Sequence, residues 1–373
     1  MQIRAALKSM DWVLAGAVLL LMGISLAMLF SSTPTHELAS SRFARQAGAS
    51  VVALLLALLV ARTPYHTIQR YAPGFYGAGL LLLLSLLFVA RVIRGTTSRL
   101  EFGGFQFQPS EFMKMALIIF LAWYLSRQAT VGWRASLLSA VLAFIPTALI
   151  VLEPDLGGGV VLAAIWFIML VFSAAPWYIL GLAVALGVAT FVPSWLWLLA
   201  DYQKARLLVF LHPAADPLGA GYNVTQSQVA LGSGYLWGRG LGHGPQSQLQ
   251  FLPERHTDFI LASLGEELGF LGVVVVLILY SVMLWRILKI ARATRDPFGQ
   301  LLAVGVAILL GLSILVTAGM NMGLLPVTGL PLPLLSYGGS NLLATLVLLG
   351  LVESVHVHST WVRLPPAEIS HFM

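Results

Sequence analysis

Apolar residues fill this chain in long unbroken blocks, and polar residues gather between the blocks. A block of about 20 apolar residues is what one helix needs to cross the hydrocarbon core of a bilayer. On that rule the chain is expected to form helices near 12–31, 43–61, 74–91, 111–127, 134–152, 157–173, 177–199, 259–286, 301–323 and 340–358. The expected fold class is an all-α polytopic membrane protein with ten transmembrane helices and a large extracytoplasmic loop between spans seven and eight. With no convincing internal repeat, residues 1–373 read as a single transmembrane domain, and 200–258 as a cap within it.

Composition agrees. The 373 residues are 58% hydrophobic and 10% charged, with a mean hydropathy of +0.88. Soluble domains carry about 25% charged residues, so a water-soluble globule is excluded. There is no cysteine, which removes disulfides and thiolate metal sites. The formal charge of +6 suits anionic lipid or a phosphorylated ligand. Nucleic acid is not an expected partner, because the basic residues are scattered among loops. The first block follows Arg4 and Lys8 and lacks a small-residue cleavage site, so it reads as a retained span.

Ten crossings put both termini on one side, and basic residues choose which. Arg4, Lys8, Arg62, Arg70, Arg127, Arg134, Arg286, Lys289, Arg292, Arg295 and Arg363 share one face, assigned to the cytoplasm. The short loops of the other face hold Arg42, Arg45, Arg91, Arg94, Arg99 and Lys114. The last four cluster between spans three and four, against the usual rule, which gives them a functional reading. The 200–258 segment is also too long for an ordinary connection. It contains an amphipathic stretch, Tyr202 to Leu211 with Lys204 and Arg206, and a second short helix from Tyr222 to Leu236. Glycines at 232, 234, 238, 240, 242 and 244 then break the chain into turns, so this segment reads as a folded cap on the membrane surface.

Four polar clusters carry candidate chemistry. In Gln108-Pro109-Ser110-Glu111-Phe112-Met113-Lys114, Ser110 is expected as the N-cap, and Glu111 and Lys114 share a helix face. They form either a structural ion pair or, with Arg94 and Arg99, an electropositive pocket for phosphate. In Glu153-Pro154-Asp155-Leu156-Gly157-Gly158-Gly159 the carboxylates are either acid–base groups or metal ligands, or Asp155 simply caps the next helix. Phe251 to Ile260 puts Asp258 where water, bilayer surface and membrane core meet, as a functional carboxylate or the N-cap of span eight. Glu254, His256 and Asp258 do not have zinc-site spacing. Glu266 and Glu267 lie deeper and need partners, for which Arg255 or the cytoplasmic half offers the nearest spare cations. Finally, Pro331 to Ser340, including Ser336, implies irregular backbone at membrane depth. Such backbone is tolerated only against protein or a water-lined cavity.

Taken together, these stretches closely resemble the SEDS family (shape, elongation, division and sporulation). The matching text is Phe107 to Glu111 with Lys114, Pro154 to Gly157, Asp216 to Tyr222, Gln226-Ser227, Gln246 to Gln248, Leu252 to Ile260 and Pro331 to Ser340. Glu254-Arg255-His256 and the short termini are most similar to its cell-elongation branch. The resemblance implies a peptidoglycan glycosyltransferase that polymerises lipid II on the outer face of the bacterial cytoplasmic membrane. It maps the family's essential external aspartate to Asp258, a general base and candidate metal-bound carboxylate. Glu111, Lys114 and Asp155 map to cavity residues; Arg99, Arg206, His256 and Ser336 are the further substrate-binding residues expected. It also implies a divalent cation (Mg2+ or Mn2+) with no organic cofactor, and a class B penicillin-binding protein as partner beside lipid II, nascent glycan and membrane lipids. Gly157-Gly158-Gly159 departs slightly from the family's commoner Gly-Thr. The rival readings are a lipid II flippase and a non-catalytic scaffold for the penicillin-binding protein.

Overall fold

The computed structural model describes residues 10–31, 42–89, 100–102, 105–153, 155–212, 220–249 and 251–361. Expectations placed on Arg4, Lys8, Arg91, Arg94, Arg99, Pro154, 216–219 and Arg363 lie outside the described residues. Helices dominate: α1 (Trp12–Ser31), α2 (Arg42–Arg62), α3 (Tyr65–Val89), α4 (Pro109–Ser126), α5 (Trp133–Leu152), α6 (Leu156–Phe172) and α7 (Trp177–Pro193), the last continued by a π-helical turn at Ser194–Leu198. Then come α8 (Asp201–Leu211), α9 (Ala220–Ser233), the single turn α10 (Pro245–Gln248), α11 (Ile260–Ala293), α12 (Pro297–Asn321) and α13 (Gly339–Trp361). One small departure from an all-helical chain is an antiparallel hairpin, β1 (Leu100–Phe102) with β2 (Phe105–Phe107), which pairs Leu100 with Phe107.

Among the described residues, 7 helices are long and apolar enough to cross a membrane: Trp12–Ser31, Arg42–Arg62, Trp133–Leu152, Trp177–Trp197, Ile260–Ala293, Pro297–Asn321 and Gly339–Ser359. α6 is apolar but has only 17 residues. α4, at 18 residues, carries Glu111 and Lys114 in its first two turns. α3 fills the remaining apolar block.

Burial sorts the helices as their patterns require. α4 and α12 are apolar on nearly all sides and sit in the middle, α4 against α3, α6 and α12. A helix that is apolar all round belongs in a core. α7 lies at the edge, where Leu182, Val184, Leu186 and Val188 are exposed, a surface suited to lipid rather than water. α13 runs along α2, and the contact is close because a Cβ at Gly350 would stand 2.5 Å from the Ala57 carbonyl oxygen.

α11 has 34 residues, about 51 Å at 1.5 Å per residue, and is broken at Gly269 (φ 70°, ψ −171°). The break frees backbone groups that the glycine-rich part of the cap takes up. Arg239 N–H and Gly240 N–H donate to the Glu266 and Glu267 carbonyls at 3.0 Å each, and Phe270 N–H donates to Tyr235 O at 2.8 Å. Gly238 (φ 81°) allows this approach, since a Cβ there would lie 2.2 Å from Glu267 O. The segment read from sequence as simple turns is thus backbone docked onto a helix kink. It satisfies groups that would be costly to leave unpaired at membrane depth.

Candidate active site

The four sequence clusters meet at one end of the helical assembly, gathered by the connection from Gly323 to Gly338. Ser336 Oγ donates to Thr257 O at 2.6 Å and accepts from Leu332 N–H at 2.8 Å, while Tyr337 N–H donates to His256 O at 2.8 Å. Further back, the Gly329 α-carbon faces Asp258: a Cβ there would lie 3.7 Å from Oδ2. Its neighbour Thr328 faces α6, with a Cβ at Gly157 falling 2.7 Å from Thr328 O. At the far end, Ser340 Oγ accepts from Gln108 N–H at 3.2 Å and Asn341 Nδ2 donates to Glu111 Oε2 at 3.3 Å. Adjacent residues of one loop therefore touch the helix that Asp155 caps and the carboxylate of Asp258.

On one side of that loop lies the ion cluster. Lys114 Nζ is 2.6 Å from Glu111 Oε1, both side chains almost wholly buried. Asp155 caps α6 by accepting from Gly158 N–H at 2.8 Å. Capping and charge coupling coexist: burial pushes the Asp155 carboxyl up, Gly158 N–H and Lys114 pull it down, Glu111 pushes it up again, and Arg206 pulls it down last. Arg206, exposed on α8, is thereby within electrostatic reach of the cluster. The expected N-cap of α4 needs correcting. Gln108 is the cap, with Pro109 at the first helical position, where its missing N–H is harmless. Ser110 is carried to the second helical position, its Oγ buried without a hydrogen-bond partner.

Glu153, which closes α5 beside Asp155, is fully buried, and neither carboxylate oxygen has a hydrogen-bond partner. Burial, then Asp155, pushes its pKa up to about 8, so it holds a proton at neutral pH. An unfolded glutamate releases its proton near 4.3. Between roughly pH 4.3 and 8 the folded state binds more protons, and stability falls as pH rises, by at most about 1.4 kcal/mol per pH unit. Glu153→Gln is expected to flatten that slope and raise the unfolding midpoint at pH 8 relative to wild type. Thermal unfolding in detergent from pH 5 to 8.5 measures it; an unchanged slope would rule Glu153 out as its source.

On the other side of the loop stands the Asp258 segment. The helix cap of α11 is Phe259, with no side-chain cap, so the N-cap alternative for Asp258 is set aside. The half-buried Asp258 is positioned through its backbone. Asn321, fully buried at the end of α12, donates from Nδ2 to Asp258 O at 2.8 Å and to Thr317 O at 2.8 Å, and its Oδ1 accepts from Ala262 N–H at 3.0 Å. Ser227 Oγ of the cap donates to Asn321 O at 2.7 Å. Asn321 caps α11 from a neighbouring helix. The sequence clue was faint: one amide ending an apolar block, two residues before a glycine. Asn321→Ala strands Ala262 N–H and Asp258 O, at about 1–3 kcal/mol per buried group. The expected result is a lower unfolding midpoint and a kcat loss larger than any KM change; a KM change alone would count against this positioning role.

His256 is held neutral. Burial, then Arg255 and Arg42, pushes its pKa down to about 3, and Nε2 accepts from Arg255 Nε at 3.2 Å, which leaves the ring proton on Nδ1. Ser336 has its hydroxyl engaged by Thr257 and Leu332, which makes it a staple of the site. Glu266 and Glu267 lie within electrostatic reach of Arg255, as expected, but their hydrogen bonds come from the cap and from α1. Glu266 accepts from Gln246 N–H, Ser247 N–H and Ser247 Oγ at 2.7, 2.9 and 2.6 Å, and Glu267 accepts from Ser31 Oγ at 2.9 Å. They anchor the cap. Among the described residues, no group of three or more acidic or histidine side chains is placed to hold a metal. A Mg2+ ion needs as few as one or two carboxylates when substrate phosphates complete its shell, and Asp258 fits that arrangement only.

The FtsW/RodA/SpoVE cell cycle protein family model matches residues 6–361, and the chain belongs to that family. The peptidoglycan glycosyltransferase MrdB of Escherichia coli K12 is 40% identical over 316 residues, 84% of this chain and 85% of that one. The rod shape determining protein RodA of Thermus thermophilus is 31% identical, covers 94% of this chain and 97% of its own, and superposes with a TM-score of 0.70. A chain from a peptidoglycan synthase complex that coordinates polymerization and crosslinking is 35% identical, with a TM-score of 0.79 over 93% of this chain and 97% of that one. With the family and its apolar helices together, this is a multi-pass membrane protein.

Proposed function

We propose that this protein is a peptidoglycan glycosyltransferase that polymerises lipid II during cell elongation. The observation that supports the reading is the Thr328-Gly329 pair, in which Thr328 O lies against Gly157 of the helix that Asp155 caps and Gly329 faces the carboxylate of Asp258. The names of the relatives support the activity, and Glu254-Arg255-His256 supports the elongation role. The polypeptide acts as one ten-span domain in the inner membrane, with both termini cytoplasmic and the 200–258 cap outside. Its partner is a class B penicillin-binding protein, a pairing supported by the relative that works within a synthase complex.

In the reaction, Asp258 accepts the proton of the acceptor hydroxyl as that oxygen attacks the anomeric carbon of the donor. The bond from that carbon to the diphosphate breaks, and the diphosphate leaves with the electron pair. A single displacement inverts the anomeric centre and needs no covalent enzyme intermediate. Lys114, oriented by Glu111 and Asp155, and Arg206 and Arg99 stabilise the charge that develops on the leaving group. Neutral His256 hydrogen-bonds substrate, and Ser336 keeps its segment in register. Asp258 would be the protein carboxylate that holds a divalent ion here, and such an ion would supply further neutralisation of the diphosphate charge.

Purified protein with its transpeptidase partner, lipid II and Mg2+ is expected to yield glycan ladders. Labelled lipid II crossing vesicle membranes with no polymer formed would instead identify a flippase.

A further inference from the structure

Two arginines converge on His256, two residues before Asp258 in the chain. Arg255 uses Nε on His256 Nε2 at 3.2 Å, while its Nη1 is buried with no hydrogen-bond partner. Arg42, exposed at the first position of α2, is near enough for its charge to act on both Arg255 and His256. Gln46, one turn further along α2, brings it there: the Gln46 side chain donates to Ser336 O at 3.4 Å and accepts from Gly338 N–H at 3.2 Å. Tyr337, between those two, is bonded to His256 O. The carboxylates within reach of Arg255 are Glu267 and Glu266, and they already accept from Ser31 and from the α10 backbone.

Like charges repel, and an unsatisfied buried guanidinium N–H costs about 1–3 kcal/mol or more. Both penalties fall when an anion enters. Planar guanidinium forks with a neutral imidazole are a donor set suited to phosphate oxygens. We propose that Arg42, Arg255 and His256 form a second anion site, for a phosphate-bearing lipid headgroup, separate from the Lys114 cluster. The proposal rests on the lipid-diphosphate reading above. Transfer between two lipid-linked sugars brings two diphosphates to one base, and Arg255 and His256 stand three and two residues before Asp258. A bulk anionic phospholipid offers the same chemistry.

The test is equilibrium binding of labelled farnesyl diphosphate to the detergent-solubilised full-length protein. Wild type is expected to show two classes of site. Arg42→Gln and Arg255→Gln should each weaken one class about tenfold, the loss of one charge-assisted hydrogen bond, and Lys114→Gln should weaken the other. Arg42 is exposed, so its variant keeps the fold even where Arg255→Gln does not. Wild-type affinity at both classes in Arg42→Gln and Arg255→Gln would overturn the second site and leave the Lys114 reading standing. No farnesyl diphosphate binding to wild type would overturn both. Nanodiscs of phosphatidylglycerol against phosphatidylcholine separate the sources. Displacement from the Arg42–Arg255 class by phosphatidylglycerol alone assigns it to bulk lipid, and no displacement assigns it to the substrate's diphosphate.

Discussion

Asp258→Asn is expected to abolish glycan ladders while the protein folds and holds its partner as wild type does. A positioned general base contributes about 10²–10⁴ in rate, and the amide cannot take up the hydroxyl proton. The fold is spared because Asn321 holds the backbone carbonyl of Asp258 rather than its side chain, and α11 is capped at Phe259. The measurement is polymer length by gel from lipid II, with the unfolding midpoint recorded on the same sample. A scaffold would tolerate the change. Ladders at the wild-type rate would remove Asp258 from the chemistry and turn attention to Asp155 or Glu111.

Lys114→Met is expected to strike stability and activity together. Removing one member of a buried ion pair leaves the other uncompensated, typically at about 3–5 kcal/mol, and Glu111 would be left with the longer Asn341 hydrogen bond. The double variant Lys114→Met with Glu111→Gln removes the stranded charge, so it should recover most of the stability and none of the glycan synthesis. Thermal unfolding paired with the polymerisation assay separates the two roles. Recovery of both by the double variant would reduce the pair to a structural strut, the bland reading that the residues alone left open.

The membrane character, the approximate positions of the helices and the polar clusters that the fold brings together were legible in the amino-acid order. Transfer energy is a property of each residue, and a run of apolar residues announces a helix without knowing its neighbours. Asp155 as a cap followed from its position before three glycines, a contact spanning only three residues. Family resemblance singled out Asp258, Lys114 and Glu111 because their local text is distinctive.

Partners far apart in sequence were not legible. Nothing near Glu266 and Glu267 in sequence announces that Gln246, Ser247 and Ser31 satisfy them. Ser110 has the chemistry to cap α4, but Gln108 is the cap and the helix starts at Pro109, two residues before the Glu111 start that a Ser110 cap would give. Asn321 lies 63 residues from the carbonyl it holds, and Gln46 lies 290 residues from the Ser336 carbonyl it bonds. By itself, then, the sequence determined that the chain is a multi-pass membrane protein and which polar clusters interrupt its apolar blocks. Only the tertiary structure decided that one loop, Gly323 to Gly338, joins them at a common site. The reason is physical: hydropathy and turn preference act over a few residues, whereas buried hydrogen bonds and ion pairs are matched only when the packed helices bring distant segments within about 3 Å.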